Sequence, residues 1–71
     1  MNYQIDKRHG GAYDRGRADS YYRRERRPHL FSDATYRSEE IEERFMTTQQ
    51  IAEYNLGYYE NEVSGDFKEW E

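Results

Sequence analysis

The sequence predicts an all-α fold, in which two main helices pack as an antiparallel hairpin with a short helical turn between them. Three observations support this prediction: Pro28 divides the chain, a helix-capping pattern begins at Thr47, and a tyrosine–glycine pair recurs in both halves. With 71 residues the chain forms one domain at most.

The N-terminal part is expected to be a flexible arm followed by the first helix. Residues 1–11 are polar and end in Gly10-Gly11, which is typical of a loose segment outside a single helical domain of residues 12–71. The first helix is expected from residue 12 to about residue 27. Pro28 ends it, because the residue before a proline disfavours helical backbone.

The second helix has a clear beginning. Thr47 followed by Gln50 fits a capping box, in which each side chain satisfies a backbone N–H of the other residue. Met46 before it and Ile51 within it fit a hydrophobic staple. We therefore expect this helix to begin at Thr47 or Thr48 and to run to about residue 63.

The connecting and terminal segments complete the prediction. Residues 29–37 are expected to be a connection, and residues 38–44 a short helical turn with Ile41 and Phe45 four positions apart. Gly65 is expected to stop the second helix, since glycine accepts the left-handed conformation that follows many helices.

Each helix carries a tyrosine and a glycine three residues apart, which places them on one face. Glycine inside a helix costs about 0.5–1 kcal/mol relative to alanine, so two at matching places indicate close backbone approach. The alternative is chance, because the pattern is short. The residues expected at this crossing are Tyr13, Gly16, Ser20, Ile51, Tyr54, Gly57 and Tyr58.

The composition favours a thin aromatic core. Charged residues make up 37% of the chain, a level that favours disorder, whereas aromatic residues make up 17%. Each aromatic ring can bury on the order of 150–250 Å². A partner or self-association is expected to supply further burial.

Charge is unevenly distributed along the chain. Residues 1–30 carry eight Lys/Arg against four Asp/Glu, and residues 31–71 carry three against eleven, giving +4 and −8. Such a chain can pair its halves within the fold, or present a basic edge to one partner and an acidic face to another.

Little in the sequence points to catalysis. There is no cysteine, the two histidines are His9 and His29, and no phosphate-binding glycine loop is present. The carboxylates at residues 39–43 are interpreted as a solvated acidic face, with mimicry of a phosphate backbone as an alternative. We expect a non-enzymatic, cytoplasmic protein with no cofactor, metal or membrane span.

The segment of residues 21–29 is the most informative, because it combines four arginines, two tyrosines and a histidine. Arginine binds phosphate and carboxylate with a two-pronged geometry, and rings offer stacking faces. Three interpretations stay open: an RNA or phosphate edge, a protein-binding edge, and internal pairing with the glutamates at 39–43 and 60–62. The predicted contact residues are Tyr21, Tyr22, Arg23, Arg24, Arg26, Arg27 and His29.

The order of these residues resembles a family of small proteins of tailed bacteriophages and prophages. The most specific part is the stretch from Asn61 to Trp70, and the likeness extends back to Tyr13. More distantly, Arg15-Gly16, Pro28 and Gly57-Tyr58 are similar in layout to ribosome modulation factor, although that family is strongly basic. The second resemblance implies a helical hairpin that binds ribosomal RNA and ribosomal proteins.

These observations predict a phage accessory protein that binds and modulates a host macromolecule, either a protein complex or the ribosome. The alternative from another class is a small structural or assembly component of the phage particle.

Overall fold

The computed structural model describes residues 4–32 and 39–69. It contains two helices and a two-stranded antiparallel sheet, so the predicted all-α fold is wrong. In chain order the elements are α1 (Ala12–Tyr21), β1 (His29–Phe31), β2 (Glu40–Glu42), a 3-10 turn (Glu43–Phe45) and α2 (Thr48–Ser64).

The sheet occupies part of the region that was expected to be a connection and a helical turn. Leu30 pairs with Ile41 at its centre, and these two aliphatic side chains pack with the hydrophobic core. Glu40 to Glu42 are therefore extended, and only Glu43–Phe45 forms a turn of helix. Ser38, the expected start of that turn, lies outside the described residues.

Helix α1 ends at Tyr21, earlier than the predicted end near residue 27. Arg23 adopts a left-handed conformation with φ of 60°. The N–H of Arg23 donates to the carbonyl of Ser20 (2.9 Å), and that of Arg24 donates to the carbonyl of Asp19 (2.7 Å). This is a Schellman motif with arginine in the position that glycine usually takes, so the helix stops well before Pro28.

Both ends of α2 agree with the sequence prediction. The N–H of Gln50 donates to Thr47 Oγ1 (3.1 Å), and the N–H of Thr47 donates to Gln50 Oε1 (2.9 Å), which confirms the capping box. At the other end Gly65 has a φ of 70°, and its N–H donates to the carbonyl of Asn61 (2.9 Å).

The two helices cross at their glycines. A Cβ atom on Gly16 would lie 2.1 Å from the carbonyl oxygen of Tyr54, and one on Gly57 would lie 2.2 Å from the carbonyl oxygen of Tyr13. No side chain fits at either position, so the absence of a Cβ is what allows the backbones to approach this closely.

The helices run in the same general direction, and the predicted antiparallel arrangement is wrong. Beyond the crossing, Asn61 donates to Ser20 (2.9 Å), and the N–H of Lys68 donates to the carbonyl of Tyr21 (2.7 Å). The C-terminal ends therefore lie together. This is possible because residues 22–47 separate the two helices. A chain of that length can span back along α1, which is about 15 Å long, before α2 begins.

The segment expected to be a flexible arm is bonded to the rest of the fold over the part that is described. The N–H of Asp6 donates to a carboxylate oxygen of Glu53 (3.1 Å), and the Arg8 guanidinium donates to the carbonyl of Phe31 (2.8 Å). Phe31 in turn donates its N–H to the carbonyl of Gly10 (2.8 Å). These bonds hold residues 6–10 against β1 and α2.

The core is small and joins both helices to the sheet. Its buried members are Ala12, Leu30, Met46 and Tyr54, and Ile41, Ile51 and Tyr58 pack against them. Met46 and Ile51, the predicted staple pair, both belong to this cluster.

Candidate functional site

A buried polar cluster lies where α1, β1 and α2 meet. Asp19, His29 and Tyr54 are almost fully buried, with exposed fractions of 3%, 2% and 0%. The Tyr54 hydroxyl donates to Asp19 Oδ2 and accepts the N–H of Arg27 (3.0 Å). Burial and the hydrogen bond to Asp19 raise the pKa of Tyr54 above its ordinary value, so this hydroxyl remains protonated.

The contacts of His29 define which ring nitrogen carries the proton. Its Nε2 lies 3.2 Å from Nε of Arg15, and because a guanidinium can only donate, Nε2 is the acceptor. The proton is then on Nδ1, which donates to the carbonyl of Arg27 (2.7 Å) and lies 3.7 Å from Asp19. His29 therefore fixes the turn into β1.

A cleft of about 620 Å³ opens above this cluster, between the Arg24–Pro28 region and the sheet. Arg27 closes one side with a two-pronged pair to Glu40, at 3.0 and 3.4 Å. This pairing lowers the pKa of Glu40 and raises that of Arg27. The lining residues are Arg15, Asp19, Arg24, Glu25, Arg27, His29, Phe31 and Glu40.

Beside the cleft, two exposed arginines lie over aromatic rings, and one of them, Arg24, also lines the cleft. The Arg24 guanidinium lies 5.0 Å from the ring centroid of Tyr22, and that of Arg23 lies 5.4 Å from the ring centroid of Phe67. Arg26 donates to Asn55 on α2 (2.6 Å). These contacts order long, exposed side chains, which lowers the entropy lost when a partner binds.

A second groove of about 350 Å³ begins on the other side of Arg24. It is lined by Arg23, Arg24, Tyr58, Glu62 and Phe67. The Tyr58 hydroxyl donates to the carbonyl of Arg24 (2.7 Å). Partial burial, and secondarily the charge of Glu62, raise the pKa of Tyr58. Arg24 thus separates two concave surfaces.

The predicted contact residues do not all reach the surface. Tyr22, Arg23, Arg24 and Arg26 are exposed, Tyr21 is half-buried, and His29 is buried beneath them. Arg27 is exposed but held by Glu40, one of the glutamates that were expected to pair internally.

The two glutamates at residues 60–62, which were also considered for internal pairing with residues 21–29, contact α1 instead. Glu60 accepts from the Tyr13 hydroxyl and lies 3.6 Å from Arg17, and Glu62 accepts from Ser20 (2.8 Å). The crossing residues Tyr13 and Ser20 thus bind α2 through their side chains as well as through close packing.

Five residues that line the cleft were not among the predicted contact residues: Arg15, Asp19, Glu25, Phe31 and Glu40. Arg15 and Asp19 lie four apart on α1, a spacing that predicts an ion pair, and they are 3.9 Å apart here. Glu40 was considered only as one of several glutamates that could pair with the arginines, and Phe31 carried no signal, because the positions of both residues depend on the sheet.

Within residues 4–32 and 39–69, no three His, Asp or Glu side chains cluster closely enough to hold a metal ion. Every buried side-chain nitrogen and oxygen described there has a hydrogen-bond partner. In the same part of the chain, neither helix combines the length and apolar composition needed to cross a membrane.

No family model, curated protein or solved structure matches this chain.

Proposed function

We propose that this chain is a non-enzymatic accessory protein of a tailed bacteriophage, acting in the host cytoplasm by binding a host protein complex. The contact surface is the stacked edge, defined as Tyr22, Arg23, Arg24, Arg26 and Phe67, together with the cleft beside it. The observation that carries this proposal is the stacking of two exposed arginines on rings at the mouths of two grooves.

The chemistry of the stacked edge supports a protein partner. Arginine and tyrosine are the side chains most enriched among residues that dominate binding energy at protein interfaces. A guanidinium lying over a ring keeps N–H groups around its rim, where they can donate to carboxylates or backbone carbonyls. Because the side chains are ordered before binding, less conformational entropy is lost on association.

The charges around the arginines favour a protein over a nucleic acid. Asp19, Glu25 and Glu40 line the same cleft as the arginines, and Glu62 lines the second groove. Carboxylates at these places repel a phosphate backbone, whereas a protein surface with charges of both signs can match them. The net charge of −4 likewise disfavours binding to a nucleic acid.

Affinity capture with paired variants tests this proposal. Three tagged proteins are incubated separately with bacterial lysate. They are the wild type, the edge variant Arg24→Ala plus Arg26→Ala, and the control Lys7→Ala plus Arg44→Ala. Both variants remove two positive charges, but only the first lies on the stacked edge. We expect one stoichiometric host protein complex to bind the wild type and the control, and to be lost from the edge variant. Circular dichroism confirms that both variants fold.

Equal capture by the two variants would show that the stacked edge is not the contact surface. Ribosome cosedimentation separates the RNA alternative. Binding by electrostatic contact with RNA weakens steeply with salt. The proposed protein partner would be contradicted if the protein cosediments with ribosomes at low salt, dissociates from them as salt rises, and does so to the same extent in both variants. Recovery of the protein only in purified phage particles would identify a structural component instead.

A further inference from the structure

The outer edge of β1 is occupied by the N-terminal segment. Phe31 donates its N–H to the carbonyl of Gly10, and its own carbonyl accepts from Arg8, both at 2.8 Å. Phe31 therefore directs both backbone groups away from β2. In an antiparallel pair this identifies Phe31 and Glu40 as directly opposed residues that exchange no hydrogen bonds.

The same geometry determines where the backbone of β2 points. If Phe31 and Glu40 exchange no bonds, the N–H and carbonyl of Glu40 face away from β1, and those of Glu42 do so two residues later. Leu30 and Ile41 form the bonded pair between them. The N–H of Ser32 donates to the carbonyl of Glu39 (3.3 Å), as expected when bonded and non-bonded residue pairs alternate along the two strands.

This outer edge of β2 is open in the part of the chain that the structure describes. The register directs the N–H and carbonyl of Glu40 and Glu42 away from β1, no described bond outside the strand pair uses these groups, and both residues are exposed. An open strand edge with unpaired donors and acceptors is a template for another strand. Two residues supply up to four backbone hydrogen bonds.

A groove of about 440 Å³ runs along this edge. Its lining residues are Glu39, Glu40, Ile41, Glu42, Arg44 and Phe45. Phe45 lies at the end of the groove and is 68% exposed, so it offers an apolar surface to an incoming chain. Three glutamates and one arginine line the groove, so it carries a net negative charge.

A second copy of the same strand does not match this surface. Antiparallel pairing of two β2 strands about Ile41 would place Glu40 of one copy directly opposite Glu42 of the other. Like charges in directly opposed positions are destabilising. The glutamates thus protect the edge from self-association and favour a cationic strand.

We propose that β2 binds an extended, basic segment of a partner protein, which adds to the sheet as a third strand. Backbone bonds to Glu40 and Glu42 supply the pairing, and lysines or arginines at alternate positions face the glutamates. This site shares only Glu40 with the cleft and does not depend on the stacked edge.

Amide hydrogen exchange measured by NMR tests the backbone part of the proposal. The probe is a capped peptide of alternating lysine and valine, seven residues long, which is about 23 Å when extended. We expect the amides of Glu40 and Glu42 to exchange rapidly in the free protein and to become protected on binding. The amide of Ile41, already bonded to Leu30, should change little.

A matched peptide of the same sequence with every backbone nitrogen methylated has the same charge and side chains but has no N–H to donate to a strand ladder. We expect it to bind at least about tenfold more weakly, since it lacks the backbone bonds. Equal binding of both peptides, or binding that leaves the exchange of Glu40 and Glu42 unchanged, would overturn strand addition. Failure of the lysine–valine peptide to bind at millimolar concentration would overturn it as well.

Protein variants test the charge part. Neutralising Glu40→Gln plus Glu42→Gln should weaken binding of the lysine–valine peptide about tenfold, whereas the control Asp66→Asn plus Glu69→Gln should not. Both variants remove two exposed carboxylates. Equal weakening in both would mean that binding depends only on net charge, and would contradict a site at β2. Dimer formation through β2 in the free protein would also contradict the proposed occupant.

Discussion

Tyr54 and Asp19 form a hydrogen bond in the interior, between α2 and α1. The same hydroxyl accepts the N–H of Arg27 in the segment that returns from α1 to the sheet. The Tyr54 side chain thus joins α2 to α1 and to the segment between α1 and β1. This arrangement links the fold to the candidate site, because Asp19 lines the cleft and Arg27 closes it.

Replacing Tyr54 with phenylalanine should destabilise the protein by about 1–3 kcal/mol. The change leaves the buried Asp19 carboxylate and the Arg27 N–H without this partner, and unpaired buried polar groups are costly. Urea denaturation followed by circular dichroism measures the effect. Tyr59→Phe is the matched control, since Tyr59 lies on the same helix and is 66% exposed. Equal stability of the two variants would show that the buried hydroxyl contributes nothing.

Alkaline titration gives a second measure of the same residue. The pKa of Tyr54 is raised above its ordinary value of 10.0, so the folded state favours the protonated hydroxyl. Its contribution to stability is complete below pH 10 and is lost as pH rises further. Between pH 9 and 11 the wild type should therefore lose stability more steeply than Tyr54→Phe. Parallel curves for the two proteins would contradict the raised pKa.

The end of α1 makes a prediction about Arg23. Its left-handed backbone, with φ of 60°, strains any residue that has a Cβ, whereas glycine accepts it. Arg23→Gly should be more stable than Arg23→Ala by about 1 kcal/mol. Both variants lose the stacking on Phe67, so their difference isolates the backbone. The midpoints of thermal unfolding give the comparison, and a more stable alanine variant would contradict this conformation.

The sequence was informative where a signal is local. Thr47 and Gln50 define a capping box within four residues, and Gly65 ends α2 as expected. The close approach at the helix crossing also has a local signal, since each glycine lies three residues from a tyrosine. These features depend only on short-range spacing and on the size of a side chain.

Features that depend on long-range pairing were not predictable in the same way. Strand β1 was assigned to a connection because three residues are too few to display alternation. Arg23 ends α1 in a conformation that glycine usually adopts, and an arginine gives no sequence signal for such an end, whereas Pro28 does. That earlier end allows the chain to return, which makes the helices run in the same direction and creates the cleft.

The ion pair between Arg27 and Glu40 should make stability depend on pH in the acid range. Bonding to Arg27 lowers the pKa of Glu40 below its ordinary value of 4.5, so the folded state favours the carboxylate. The stabilisation is complete above pH 4.5 and is lost as pH falls through the lowered pKa. Because the Arg27 side chain is 62% exposed, the contribution is at most about 1 kcal/mol.

Glu40→Gln tests this pair directly. The variant should be less stable than the wild type at pH 7, and the difference should shrink at pH 3. Urea denaturation at the two values measures it. Glu69→Gln is a control at an exposed carboxylate far along the chain. A deficit for Glu40→Gln that persists unchanged at pH 3 would show that the ion pair is not its cause.

The crossing of the helices predicts a large difference between two glycine-to-alanine changes. At Gly16 the added Cβ would lie 2.1 Å from the Tyr54 carbonyl oxygen, so the helices must separate. Overpacking of this kind costs about 1–3 kcal/mol or more, which exceeds the gain of about 0.5–1 kcal/mol from alanine in a helix.

At Gly65 an added Cβ meets no atom within 4 Å, and only the left-handed backbone resists the change. Gly65→Ala should therefore cost about 1 kcal/mol, and Gly16→Ala should cost more. Urea denaturation of both variants, followed by circular dichroism, provides the test. If Gly16→Ala is as stable as the wild type, the backbones do not approach each other at this crossing, and the arrangement of α1 on α2 is different in solution.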